Sequence, residues 1–296
     1  MRLSKKTRRV RTGLMIALAM APVYGCSSSG NAPATTAPAS AADQQAAADA
    51  KAKTEAAISS ASDALHAKLL LAYGGELPSA DVQRYVQKFG AALLIKADKG
   101  DVSLFAVDST DVDHFSIPGR IYLTRGLLAA LDNDAQLAAV IESEISQIKL
   151  GHLRTKIDAA HDQASGGLGG LFGGGGNYTA ILNTALGIDK DTNHYNGTFA
   201  ETDEFDDAKD ALPRMAAAGY DPNQYHVYME KMLAVHAKAV ATHAITYQEA
   251  AKVEALTSDT IHTTPDAGWK VGDDTYKANV VDKIKELPLP ASQPAN

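Results

Sequence analysis

The chain predicts an α+β fold, mainly helical with one small sheet, and three observations carry the prediction. From Ser79 to Lys96, the residues Val82, Tyr85, Val86, Phe89, Leu93 and Leu94 fall on one helical face. From Asp134 to His152, Leu137, Ile141, Ile145 and Ile148 recur at steps of three and four, with Asn133 or Asp134 as N-cap. Between the two stretches, Val102 to Val107 is β-rich. His114 to Leu123 holds Pro118-Gly119 between two short apolar segments, the pattern of an edge hairpin. With 296 residues, 45% of them hydrophobic, the chain is long enough to bury a core as one large domain or two small ones.

Met1 to Gly25 carries Arg2, Lys5, Lys6, Arg8, Arg9 and Arg11 without an acid, then the apolar run Leu14 to Val23, which reads as a secretory signal. That run is too short to span a bilayer. Cys26, the single cysteine, excludes an intramolecular disulfide, so stability must come from packing. Loss of the six cations takes the formal charge from −7 to −13, which disfavours nucleic acid and anionic lipid as partners. Residues 26–62 are expected to be a flexible Ala/Ser/Pro linker, helical at most toward its end, because they offer little apolar surface to bury.

The folded domain is expected over residues 63–285, where Leu65, Leu69 and Leu70 give the first helix something to pack. Thr124 to Leu131 makes a short helix leading into the one at Asp134. After His152 comes a polar stretch and then eight glycines among residues 166–176, without the Gly-Lys-Ser/Thr ending of a phosphate loop. This segment reads as a surface loop or a flap beside a cleft. Tyr178 to Leu186 makes a short helix. Phe199 to Ala218 makes a longer one, with Glu201, Asp203, Glu204, Asp206 and Asp207 near its N-terminus, where the macrodipole favours anions, and with a kink expected at Pro213. Gly219 to Pro222 stops it, a helix from Asn223 to about Glu249 follows, and residues 286–296 read as a disordered tail.

Several stretches together resemble a known family. Tyr85-Val86-Gln87-Lys88-Phe89-Gly90, Val107-Asp108-Ser109 and the block from His114 to Leu128 are similar to segments of zinc metallopeptidase family forty-eight, the HtpX- and Oma-like peptidases. In the block, the family reads Asn-Ala-Phe-Ala-x-Pro-Gly-Gly-x-Ile-x-Val-x-x-Gly-Leu-Leu. Ala138-Ala139-Val140-Ile141, Gly219-Tyr220-Asp221-Pro222 and Met229-Glu230-Lys231-Met232 extend the likeness over roughly residues 72 to 236. The resemblance implies a zincin-like (gluzincin) domain with its hairpin along a substrate groove. Val23-Tyr24-Gly25-Cys26 likewise resembles a bacterial lipobox, which implies lipidation of Cys26 and a periplasm-facing anchor, more in the outer than the inner membrane because Ser27 is not aspartate.

Carried over residue by residue, the family's His-Glu-x-x-His becomes Ser143-Glu144-x-x-Gln147, with Glu144 in the general-base position. Glu204 falls on the third zinc ligand, His152 on a further histidine, and the family's later aspartate on Ala208, with Asp207 beside it. A hydroxyl and an amide are weak, neutral donors beside imidazole, so no metal cofactor is expected. A zinc site rebuilt from Glu144, His152 and Glu204 would need to bridge about 12 Å along a single helix. The expectation is therefore an inactive pseudopeptidase binding envelope proteins or extended peptides through Ser116, Ile117, Arg120, Tyr122 and His152. A zinc endopeptidase with unusual ligands and a purely structural lipoprotein are the alternatives.

Overall fold

Alanine has the highest helix propensity of any residue, and the first helix uses it. In the computed structural model, which describes residues 40–165, 177–197, 201–236 and 268–290, α1 (Ala41–Ala72) runs unbroken through most of the expected linker. Ile58, Ala61, Ser62, Leu65 and Leu69 are buried along it, so packing begins before residue 63. The leader, Cys26 and the glycine-rich stretch lie outside the described residues. Residues up to Ala46 and those from Ala47 onward form two units.

Ser79 caps α2 (Ala80–Lys96) by accepting from the Val82 amide. Three strands follow, β1 (Ser103–Val107), β2 (His114–Ile117) and β3 (Arg120–Thr124), in the order β1-β3-β2. The first pair is parallel and the hairpin pair antiparallel, with Gly119 at φ 78 in the tight turn between β2 and β3. Because side chains alternate across a strand, the sheet divides two apolar layers. Leu104, Ala106, Ile121 and Leu123 join the layer of α2 and the central helix, whereas Val107, Phe115, Ile117 and Tyr122 join that of α1.

Thr124 caps α3 (Arg125–Ala130), and Asn133 caps α4 (Asp134–Leu150) through a 2.8 Å bond from the Gln136 amide. Every residue of α4 from Asp134 to Gln147 is buried. The helix ends at Gly151, in the left-handed conformation, and His152 opens a new helix, α5 (His152–Ser165). The apolar spacing predicts one helix from Asp134 to His152, but the left-handed Gly151 ends it and places His152 at the start of the next.

The remaining helices among the described residues are α6 (Tyr178–Ala185), α7 (Glu201–Ala218), α8 (Asn223–His236) and a pair joined by a π-helical turn at Lys277–Val281: α9 (Asp273–Tyr276) and α10 (Asp282–Lys285). Pro213 sits inside α7 without ending it. The expected tail is also not free at its start. The buried Arg125 guanidinium pairs with Asp108 at 3.0 Å and donates to the carbonyls of Ile284, Leu287 and Pro288, the last at 2.7 Å.

Candidate functional site

Helix α4 projects Ser143, Glu144 and Gln147 toward one cavity of about 90 Å³, and four other parts of the fold line it. Strand β2 contributes His114 and Phe115, α7 contributes Glu204, and α8 contributes Tyr225, Tyr228, Met229 and Met232. Tyr195 and Gly197, from the segment after α6, complete the wall. The four family positions therefore converge, although they span 62 residues of sequence between Ser143 and Glu204, by their numbers.

The polar atoms of α4 are engaged by groups that the sequence reading had not singled out. His114 Nδ1 lies 2.6 Å from Glu144 Oε1, and His114 Nε2 is bonded to the Tyr228 hydroxyl. Both nitrogens of the imidazole are thus in use. Burial alone would lower the His114 pKa, but the hydrogen bond and charge of Glu144, with Asp113 and Glu204, hold it above its ordinary value. The Tyr225 hydroxyl is paired with Ser143. Glu144 is 1% exposed, and its second oxygen, Oε2, is buried with no hydrogen-bond partner.

Behind the cavity, α4 and α7 are clasped by charge. Arg214 donates from Nε to Glu142 Oε2 at 2.7 Å, to the Glu142 carbonyl at 3.0 Å and to Ser146 Oγ at 2.8 Å, and it also pairs with Asp210. One turn before Arg214's clasp, Asp207 is fully buried beside Ala208, the position matching the family's aspartate. Its Oδ1 lies 3.1 Å from His152 Nδ1, but the angles make no hydrogen bond and neither carboxylate oxygen has a partner. Burial, followed by the charges of Glu204 and Glu144, pushes the Asp207 carboxyl up to about 9.

The expected binding residues of the hairpin do not line the cavity. Ser116, Ile117 and Tyr122 are buried, and α1 lies over the turn. Ser62 Oγ donates to the Pro118 carbonyl at 2.7 Å, Arg120 pairs with Asp63 at 2.6 Å, and Tyr122 shares a 2.7 Å bond with His66. The helical start of the chain occupies what had been read as an open face. His152 does not line the cavity either, and its Nδ1 lies 3.1 Å from Asp207 Oδ1.

These residues do not fit a zinc ion. Catalytic zinc takes three strong donors, and the one imidazole that lines the cavity among the described residues has both nitrogens committed to Glu144 and Tyr228. Among the described residues, no group of three or more His, Cys, Asp or Glu side chains is placed to hold a metal. His114 was visible in the sequence as a histidine where, aligned on Phe115 and Pro118-Gly119, the family block has alanine. Its partners, 30 and 114 residues away, were not.

Residues 76–176 match the model of peptidase family M48. The match takes in α2, the sheet, α3, α4 and α5, and ends before Glu204 and the tyrosines of α8. No curated protein matches the chain.

Proposed function

We propose that the chain, whose residues 76–176 match the model of peptidase family M48, works as a pseudopeptidase, a lipid-anchored protein that binds extended segments of envelope proteins without cutting them. The observation that carries this reading is the occupation of the general-base position. Glu144 Oε1 is held by His114, while Ser143 and Gln147 flank it where a metallopeptidase needs imidazoles. Without a metal there is no water of lowered pKa for Glu144 to activate.

Binding is supported by the sheet. Strand β2 is at its edge, its outer side unpaired with another strand among the described residues, and it delivers His114 and Phe115 to the cavity. Such an edge accepts an extended segment through main-chain hydrogen bonds. The anchor rests on the lipobox-like Val23 to Cys26 and on the absence of a helix, among the described residues, apolar enough to cross a membrane. A lipid on Cys26 would face the domain to the periplasm, with the outer membrane favoured. Fractionation tests this, since Cys26→Ser is expected to leave the outer-membrane fraction.

Elemental analysis and a casein degradation assay on one purified sample test the loss of catalysis. The expected result is no stoichiometric zinc and no cleavage. Ser143→His with Gln147→His should gain zinc affinity, because two imidazoles one turn apart then stand beside Glu204. Tight zinc in the unaltered protein, lost on Glu204→Ala, would overturn the reading.

A further inference from the structure

We propose that the cavity beneath β2 is a receptor for one primary ammonium group, carried by a lysine side chain or a free chain terminus of the bound segment. This deepens the binding function proposed above and rests on it. The starting observation is the unsatisfied oxygen. Glu144 lines the cavity, is 99% buried by its 1% exposure, and leaves Oε2 without a donor. A buried acceptor left in that condition is destabilising, and a cationic donor relieves it better than a neutral one.

His114 cannot supply the missing bond, because its Nδ1 is already on Oε1 and its Nε2 on Tyr228. The Tyr225 hydroxyl is committed to Ser143. The lining otherwise favours positive charge. Glu204 and Asp113 add carboxylates, and the rings of Phe115, Tyr195, Tyr225 and Tyr228 also line the space without bringing a positive charge. Phe115 and Tyr195 are themselves stacked, with centroids 4.9 Å apart and planes at 11°, which fixes one wall.

Size narrows the ligand. About 90 Å³ admits a small head group and a short stem, not a second folded element. A hydrated metal ion meets too few strong donors here, and a carboxylate or phosphate meets the wrong charge. An ammonium brings three donors, one for Glu144 Oε2 and others for neighbouring acceptors. Strand addition along β2 would run a peptide past the mouth of this cavity, so a side chain or terminus pointing inward would reach Glu144.

The test uses the full chain in an uncharged detergent and titrates n-butylammonium chloride against n-butanol, its neutral isostere, by calorimetry. Saturable binding of the ammonium at least tenfold tighter than the alcohol is expected, and equal binding of the two overturns the proposal without any variant. Glu144→Gln, which keeps the shape, should weaken the ammonium at least tenfold; a variant that melts normally and binds as before also overturns it. Peptides then separate the source of the group and the two levels of inference. An acetylated peptide with lysine, compared with norleucine, reports the side chain, and a free against an acetylated terminus reports the chain end. Peptides that all bind equally overturn the ammonium site and leave the binding function standing. Butylammonium that binds with its expected preference while no peptide does supports the site and counts against the function.

Discussion

Two carboxylates on α4, Glu142 and Glu144, stand two residues apart, are equally buried, and are treated in opposite ways. Glu142 faces the α7 seam, where Arg214 meets its carboxylate, its carbonyl and the neighbouring Ser146 together. Glu144 faces the cavity, where one oxygen meets His114 and the other meets nothing. Burial pushes the Glu142 carboxyl up and Arg214 pulls it back, leaving it only above its ordinary range. A buried charge is tolerated when its hydrogen bonds are complete, and structural seams complete them. The cavity side does not, which marks it as the place where this protein gives up stability for something else.

Removing the clasp should have the largest effect. Arg214→Ala strands Glu142 and leaves Asp210 with Lys149 alone, and is expected to cost about 3–5 kcal/mol, read from urea midpoints. On the cavity side the loss should be smaller, because Glu144 is already half satisfied and water can enter beside it. His114→Ala is therefore expected to cost about 2–3 kcal/mol in the same assay. A His114→Ala loss exceeding that of Arg214→Ala would invert the contrast between seam and cavity.

The smallest change should be a gain, and it depends on pH. Asp207 is protonated in the folded chain up to about 9 but ionises near 3.8 once unfolded. Its contribution to stability is then fully present below about 3.8 and is lost as the pH rises toward 9. Asp207→Asn keeps a neutral group there at every pH. Relative to the unaltered chain it should be near neutral at pH 4 and more stable by about 1–2 kcal/mol at pH 8. Thermal melts across that range check the sign, and a variant less stable at pH 8 would show that the carboxylate is needed ionised.

Periodicity and caps made α2 and α4 legible, and the hairpin followed from Pro118-Gly119 between apolar segments. The peptidase likeness reached the cavity because Ser143, Glu144 and Gln147 sit at fixed spacing on one helix. What stayed hidden depends on pairings distant in sequence. Nothing local to His114 points to Glu144, and nothing local to Arg214 points to Glu142, 72 residues away. The cover of the hairpin stayed hidden for the same reason, since α1 lies some 56 residues upstream. Helix α5 had a local signal in Gly151, which a reading centred on apolar spacing passed over.

Arg125 carries a consequence for the order in which the chain can become a protein. Its carbonyl acceptors lie 159 to 163 residues downstream, within the last dozen or so positions of the sequence. Closing so long a loop is entropically unrewarded until its final contact forms. A nascent chain that has already made the sheet and α4 still holds a guanidinium facing a vacancy, with Asp108 as its only counterweight among these contacts. Arg125 is accordingly fully satisfied only once residues 284–288 have docked against it, whatever the order in which the rest of the fold forms.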